Sequence, residues 1–199
     1  MKILVAGATG NTGTRLVAEL CQRGHEPVAL VRETSNTGKL PDGTELRVGD
    51  LTDLKDDVTK GCEVVIFAAG SGGDTSTEMT DKVDRDGAIR LIDIAQQTGV
   101  RRFVMLSSVG TENPDPKSEL AHYLQAKHDA DEHLKHSKLE YAILRPVALT
   151  DDGPTGSVIL GDDVDPKGKA ARGDVAVLLA DAAQEDDWAG AVRRMETAY

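Results

Sequence analysis

The stretch that decides the fold is Lys2-Ile-Leu-Val-Ala-Gly7-Ala-Thr-Gly10-Asn-Thr-Gly13-Thr-Arg15-Leu16. An apolar run at 3–6 precedes three glycines, and a helical pattern of apolar residues follows them. Gly7 allows a tight turn, Gly10 lets a ligand approach the backbone, and Gly13 lets a helix pack closely on the preceding strand. The order of strand, glycine turn and helix is typical of an anion site at a helix N-terminus.

The glycine spacing is Gly-x-x-Gly-x-x-Gly, which is one residue longer than the usual dinucleotide fingerprint. Glycines alone would also fit a purely structural turn, but here the strand and the helix both fall where the fingerprint requires them. We therefore predict that the pyrophosphate of a dinucleotide binds this turn. The predicted binding set is Gly7, Thr9, Gly10, Asn11, Thr12 and Gly13.

Away from the turn, short apolar runs alternate with helical periodicity. Continuous apolar runs suit strands that are covered on both faces, as in a parallel sheet. The pattern predicts a doubly wound α/β (Rossmann) fold with strand order 3-2-1-4-5-6. We expect a single domain, 1–199, in which 147–199 form a small C-terminal appendage on the substrate side. The predicted strands are 3–6, 27–31, 45–48, 64–68, 103–106 and 141–144, and the predicted helices are 12–23, 81–98, 119–137, a short one near 53–60 and one near 174–183.

Composition narrows the class of protein. The 199 residues are 39% hydrophobic, and 34 acidic against 23 basic residues give a net charge of −11, which would repel nucleic acid. Apolar runs are too short to span a bilayer and begin at position 3, so we expect no membrane partner, no targeting segment and a cytoplasmic location. Cys21 and Cys62 lack metal-ligand spacing, and we expect core thiols and no metal.

The end of the second predicted strand bears on the choice of dinucleotide. In this fold an acidic side chain there binds the adenosine ribose, whereas an arginine accommodates a 2′-phosphate. Arg32 occupies this place, and a guanidinium can bind phosphate through two hydrogen bonds. Glu33 follows directly, so NAD stays open beside the favoured NADP.

Seven motifs follow one another along the chain: Gly7-Ala-Thr-Gly10-Asn-Thr-Gly13, Gly49-Asp50-Leu51, Phe67-Ala-Ala-Gly70-Ser-Gly-Gly73, Val83-Asp84-Arg-Asp-Gly87, Arg102-Phe-Val-Met-Leu-Ser107-Ser108-Val-Gly110, Tyr123-Leu-Gln-Ala-Lys127 and Leu144-Arg145-Pro146. Over nearly its whole length, the chain thus resembles the atypical short-chain dehydrogenase/reductases, in their NmrA-like or epimerase-like single-domain branch. The resemblance implies that Asp50 and Leu51 border the adenine. It also implies that the dinucleotide is lined by Ala68, Ala69 and Gly70, and that its nicotinamide lies near Pro146 and Val147. A glycine often follows the proline in that branch, so Val147 departs from the pattern and would narrow the pocket.

The candidate reaction centre lies on the third long predicted helix. Tyr123 and Lys127 are four residues apart and therefore share a face. Tyrosine side chains are poor acids and bases near neutral pH, but an adjacent ammonium and an oxidised nicotinamide would stabilise the phenolate. Ser108 ends the fifth predicted strand, where ligands bind in such sheets. The resemblance implies that Ser108, rather than its neighbour Ser107, holds the substrate oxygen and that Lys127 also binds the nicotinamide ribose.

The resemblance places Asp84 where the wider family has an asparagine that supports a proton-relay water. An aspartate can hold a water or a carbonyl group, but its charge would alter the relay. A tyrosine and a lysine at this spacing also occur by chance in helices, so the catalytic interpretation depends on their combination with Ser108 and the glycine turn. The nearby histidines lack the order of a zinc site and are expected at the surface; they are His122, His128, His133 and His136.

Two classes of function fit these residues. The first is an NADP(H)-dependent oxidoreductase acting on a small carbonyl or alcohol, as a monomer or homodimer. The second is a non-catalytic NADP-binding redox sensor or assembly protein, which Asp84 and the small substrate region favour. A sugar epimerase or dehydratase fits less well, because the residues after Pro146 are too few to enclose a nucleotide sugar.

Overall fold

The computed structural model describes residues 1–71 and 76–199, so Gly72 and Gly73 of the third motif lie outside the described residues. The strands are β1 (Lys2–Ala6), β2 (Glu26–Val31), β3 (Glu45–Val48), β4 (Val64–Phe67), β5 (Arg102–Leu106), β6 (Glu140–Pro146), β7 (Ala148–Thr150), β8 (Val158–Leu160), β9 (Lys169–Ala171) and β10 (Ala191–Thr197). The α-helices are α1 (Asn11–Gln22), α2 (Thr77–Thr80), α3 (Ala88–Gln97), α4 (Ala121–His136) and α5 (Arg172–Gln184). A π-helix, Asp81–Gly87, joins α2 to α3.

The main sheet has the order β3-β2-β1-β4-β5-β6-β10-β8, and only its last pair, β10 with β8, is antiparallel among the described strands. The first six strands therefore follow the predicted order, and the doubly wound fold is confirmed. Buried side chains form one cluster with α1 and α5 and a second with α3 and α4. Strands buried on both faces explain why their apolar runs are continuous.

The segment 147–199 belongs to the same sheet. It supplies β8 and β10, while α5 packs against α1 and the short pair β7–β9 lies beside them. The sequence predicted only a tail after 174–183, because the arginines and glutamate of β10 hide its apolar alternation. Across the residues described, no helix has the length and apolar character needed to cross a membrane.

Two local predictions were wrong. Residues 53–60 form successive turns instead of a helix, with bonds such as Lys60 N to Asp57 O at 2.9 Å. Their aspartates and β-branched residues favour turns over helix. Cys21 lies on the exposed side of α1 and is not a core thiol, whereas Cys62 is buried as expected.

Candidate functional site

Close backbone packing explains two of the three glycines in the first turn. Gly7 has a φ of +82°, and a Cβ there would lie 2.6 Å from Ala69 N in the segment after β4. A Cβ at Gly13 would lie 2.0 Å from Gly7 O. The N–H of Gly10 donates to the same carbonyl at 3.0 Å and closes the turn. A larger residue at Gly7 would therefore push the turn away from the segment after β4, and a larger residue at Gly13 would push α1 away from the turn.

The start of α1 offers donors to a ligand. Gly10 is the N-cap and supplies no side-chain cap, and the first turn of the helix carries no acidic residue. The first helical bond runs from Thr14 N to Gly10 O at 2.9 Å, so the preceding N–H groups have no partner within the helix. Thr12 is buried beneath the turn, while Asn11 is exposed at its rim. The turn thus fits a pyrophosphate, which needs backbone donors and the positive helix end.

The adenine end of the predicted site contains a cation and a carboxylate. Arg32 is exposed just after β2, and within the described residues no carboxylate lies within 4.0 Å of its guanidinium. The Oδ1 atom of Asp50 accepts hydrogen bonds from Thr52 N at 2.9 Å and Thr52 Oγ1 at 2.8 Å. These bonds, and then the nearby charge of Arg32, lower the pKa of Asp50 despite partial desolvation. Arg32 and Asp50 are therefore neighbours, with the half-buried Leu51 beside them.

The segment after β4 is held in place by a buried carboxylate. Ala68 and Ala69 are half-buried against the first turn, and Gly70 is exposed. Asp84, which is 1% exposed, accepts a hydrogen bond from Ser71 N through Oδ2 at 2.9 Å. Asp84 lies in the π-helix, a form of helix that often marks a functional site. It connects this segment to the candidate reaction centre.

Tyr123, Lys127 and Asp84 are brought together. The buried Nζ of Lys127 lies 3.3 Å from Asp84 Oδ1, donates to Leu106 O at 3.3 Å, and is 5.4 Å from the centroid of the Tyr123 ring. Burial lowers the pKa of Lys127, but the nearby Tyr123, Asp84 and Asp131 outweigh it and the pKa is raised. The ammonium therefore stays charged beside the tyrosine.

The two serines after β5 have different surroundings. Ser107 is buried, and its hydroxyl donates to Asp131 Oδ2 at 2.7 Å. Ser108 is half-buried, and its hydroxyl contacts only the local carbonyl of Val109, at 3.2 Å, within the described residues. Ser108 also follows closely on Leu106, whose carbonyl binds Lys127. This supports Ser108 as the serine whose hydroxyl can turn to a substrate.

At the end of β6, Pro146 and Val147 are buried. Val147 packs within the cluster formed with α1 and α5, and its N–H donates to Met195 O at 3.1 Å. Contact of these two residues with a nicotinamide ring stays a prediction.

Sequence reasoning missed a buried network centred on Asp131. Its Oδ2 accepts from Arg145 Nη2 at 2.9 Å, Thr111 Oγ1 at 3.2 Å and Ser107 Oγ at 2.7 Å, while its Oδ1 has no hydrogen-bond partner within the described residues. Asp131 lies one helical turn beyond Lys127, which was the available signal. The network holds the end of β5 against α4 and β6.

The four histidines lie at or near the surface, and no group of three or more potential metal ligands occurs in 1–71 and 76–199. His122 pairs with Asp81 at 3.0 Å and His133 with Asp93 at 2.8 Å. His128 Nδ1 lies 2.7 Å from Thr111 O.

Comparison with known proteins identifies the family of this chain. The sequence profile of a family described as NAD(P)H-binding matches residues 7–186. The chain belongs to this NAD(P)H-binding family. It is 37% identical over 182 residues to the uncharacterised sugar epimerase YhfK of Bacillus subtilis, covering 88% of this chain and 85% of that one.

Solved structures agree with this family. A protein from Bacillus halodurans, provisionally named as an NAD-dependent epimerase/dehydratase, is 35% identical, with a TM-score of 0.92 over 100% of this chain and 94% of that one. The oxidoreductase ylbE of Lactococcus lactis is 28% identical, with a TM-score of 0.86 over 100% and 91%. The resemblance drawn from the motifs is confirmed at this level: the chain is a Rossmann protein of an NAD(P)H-binding family related to epimerase-like and reductase-like proteins.

Proposed function

We propose that this NAD(P)H-binding protein is an NADP(H)-dependent oxidoreductase that acts on a small carbonyl or alcohol substrate. The observation that carries the proposal is the charged Lys127 ammonium, buried beside Asp84 and 5.4 Å from the Tyr123 ring. A buried charge of this kind, next to a titratable side chain at the carboxyl end of a parallel sheet, is typical of a reaction centre.

When bound, the dinucleotide supplies or accepts the hydride. In carbonyl reduction the Tyr123 hydroxyl gives its proton to the substrate oxygen, and in alcohol oxidation the phenolate takes that proton back. The positive charge of Lys127 stabilises the phenolate in both directions, because the raised pKa keeps the ammonium protonated. Ser108 donates a hydrogen bond that orients the substrate oxygen.

The preference for NADP is proposed from Arg32. Its guanidinium is exposed beside Asp50 and can bind a 2′-phosphate through charge-assisted hydrogen bonds. Replacing Arg32 by Ala is expected to weaken NADPH binding about tenfold or more and to leave NADH binding unchanged. Arg101→Ala is the control for loss of an exposed arginine, because Arg101 precedes β5 and so lies at the opposite end of the parallel strands from Arg32, which follows β2. If wild type binds NADH and NADPH equally well and Arg32→Ala changes neither affinity, the choice of NADP is wrong.

The catalytic role is tested by a screen in which NADPH consumption is followed with aldehydes and ketones, and NADPH formation from NADP+ is followed with alcohols and nucleotide sugars. Nucleotide sugars are included because the relative YhfK is named a sugar epimerase. Tyr123→Phe is expected to lower turnover by about 100-fold or more, the usual contribution of a general acid. Tyr141→Phe, half-buried on β6 away from Lys127, is the matched control and should retain activity. Turnover that survives Tyr123→Phe would contradict the assignment.

A second candidate, a non-catalytic sensor of NADP redox state, is favoured by one contact. The Asp84 carboxylate lies 3.3 Å from the Lys127 ammonium. Its negative charge therefore offsets part of the positive charge that would stabilise a Tyr123 phenolate. Tight binding of NADPH without any Tyr123-dependent turnover across the screen would support the sensor.

A further inference from the structure

A surface cavity lies on the face of the sheet that α4 covers, and its lining includes neither the glycine turn nor Tyr123. It has a volume of about 360 Å³, and its lining residues are Glu112, Arg145, Gly161, Asp162, Val192 and Arg194. Arg145 identifies the face, because its side chain binds Asp131 of α4. Arg194 is the parallel partner of Arg145 in the register of β10 on β6, so both side chains emerge on this face.

Adjacent arginines on neighbouring strands repel each other unless anions compensate them. Arg145 is 5% exposed and commits Nε and Nη2 to Asp131, at 3.2 and 2.9 Å. Its Nη1 lies 3.8 Å from Glu112 Oε2 and makes no hydrogen bond within the described residues. A donor on a buried arginine thus lacks a close partner at the cavity wall.

The carboxylates that face the two arginines are solvent-exposed, and Glu112 Oε2 also accepts a hydrogen bond from Gly110 N at 2.9 Å. Asp162 is bound by Arg194 Nη2 at 2.6 Å but is fully exposed to solvent, and the side chain of Glu112 is 40% exposed. Ion pairs formed by such exposed carboxylates are weak. A ligand oxyanion could replace both carboxylates without loss of the buried pair between Arg145 and Asp131.

We propose that this cavity is a second, anion-binding site of the protein, for a small organic phosphate or dicarboxylate. The oxyanion would accept hydrogen bonds from Arg145 Nη1 and from the Arg194 guanidinium, which suits bidentate binding. Val192, 37% exposed at the same cavity, offers an apolar contact for the carbon skeleton of the ligand.

The test is calorimetric titration of inorganic phosphate, and separately of succinate, into the full chain. Arg194→Gln is expected to weaken binding about tenfold, the loss of a charge-assisted contact. Arg193→Gln is the matched control, since that neighbouring arginine stacks 4.4 Å from the Trp188 ring and should leave binding unchanged. Glu112→Gln and Asp162→Asn should bind more tightly, because each removes a competing carboxylate.

Binding of either anion that depends on Arg194 supports the site, and the tighter anion identifies the ligand headgroup. Binding that is unaffected by Arg194→Gln, or equally affected by Arg193→Gln, overturns it. The titrations are repeated with saturating NADPH, and displacement of the anion by NADPH would also overturn the proposal by placing the ion at the glycine turn. None of these readouts depends on turnover by Tyr123, so they stand apart from the proposed oxidoreductase activity.

Discussion

Adding one methyl group at Gly13 tests the packing of α1 on the first turn. An ideal Cβ at this position lies 2.0 Å from Gly7 O and 2.8 Å from Ala8 Cα, whereas ordinary contact begins at 3.4 Å. The helix or the Gly7 carbonyl must therefore shift by more than 1 Å. That carbonyl also accepts the 3.0 Å bond from Gly10 N, so the shift would distort the turn itself.

The size of the effect follows from these contacts. Overpacking of this kind costs about 1–3 kcal/mol, so we expect Gly13→Ala to lower the free energy of unfolding by that amount. Displaced amides would each lose a charge-assisted hydrogen bond to the pyrophosphate, and NADPH binding should weaken about 10- to 100-fold. Urea denaturation measures the first quantity and calorimetric titration with NADPH measures the second.

Gly153→Ala is the matched control, because a Cβ at Gly153 meets no atom within 4 Å and its backbone is not left-handed. This variant should match the wild type in both stability and affinity. If Gly13→Ala unfolds at the wild-type urea concentration and binds NADPH as the wild type does, the account of the turn is wrong.

Three further predictions concern stability and reactivity. Glu140→Gln should cost about 2 kcal/mol at pH 7, because the fully buried Arg102 loses its carboxylate partner but keeps two carbonyl acceptors. Hydrogen bonding from Arg102 lowers the pKa of Glu140 from 4.5, so this stabilisation is present above that value and is lost as pH falls through the lower folded value. Urea titrations at pH 7 and at decreasing acidic pH should show the difference between wild type and variant become smaller as the pH falls. Asp174→Ala should speed amide exchange in 151–157, since that buried carboxylate binds residues 155 and 156 of the segment; unchanged exchange would argue against the tether. Cys21 should react with a thiol reagent in the folded protein and Cys62 only after unfolding, and equal rates would contradict their burial.

The sequence predicted the fold well where the information is local. The run 3–6, the glycine turn and the periodicity of α1 lie within one short stretch, and each has a direct geometric consequence. The central strands are buried on both faces, so their continuous apolar runs are unambiguous. β10 was missed because Arg193 and Arg194 find partners, Trp188 and Asp162, that only the tertiary structure supplies.

In the candidate site, too, the local relations could be predicted and the contacts between distant elements could not. The nearness of Tyr123 and Lys127 follows from helical spacing alone. The ion pair of Lys127 with Asp84 joins two helices. The family resemblance placed both residues in the candidate site but did not predict that they pair. The bond of Asp131 to Arg145 joins a helix to a strand, and neither periodicity nor spacing encodes such a pair.

The place of β10 in the sheet has a consequence for how the protein is made. β8 precedes β10 in the chain but lies outside it, so β8 has no partner until β10 inserts beside β6. During synthesis the ribosome therefore releases a nascent sheet whose β6 edge stays open while β8 and α5 have already emerged. An open strand edge is a template for pairing with another molecule, and chaperone protection would matter most in that interval.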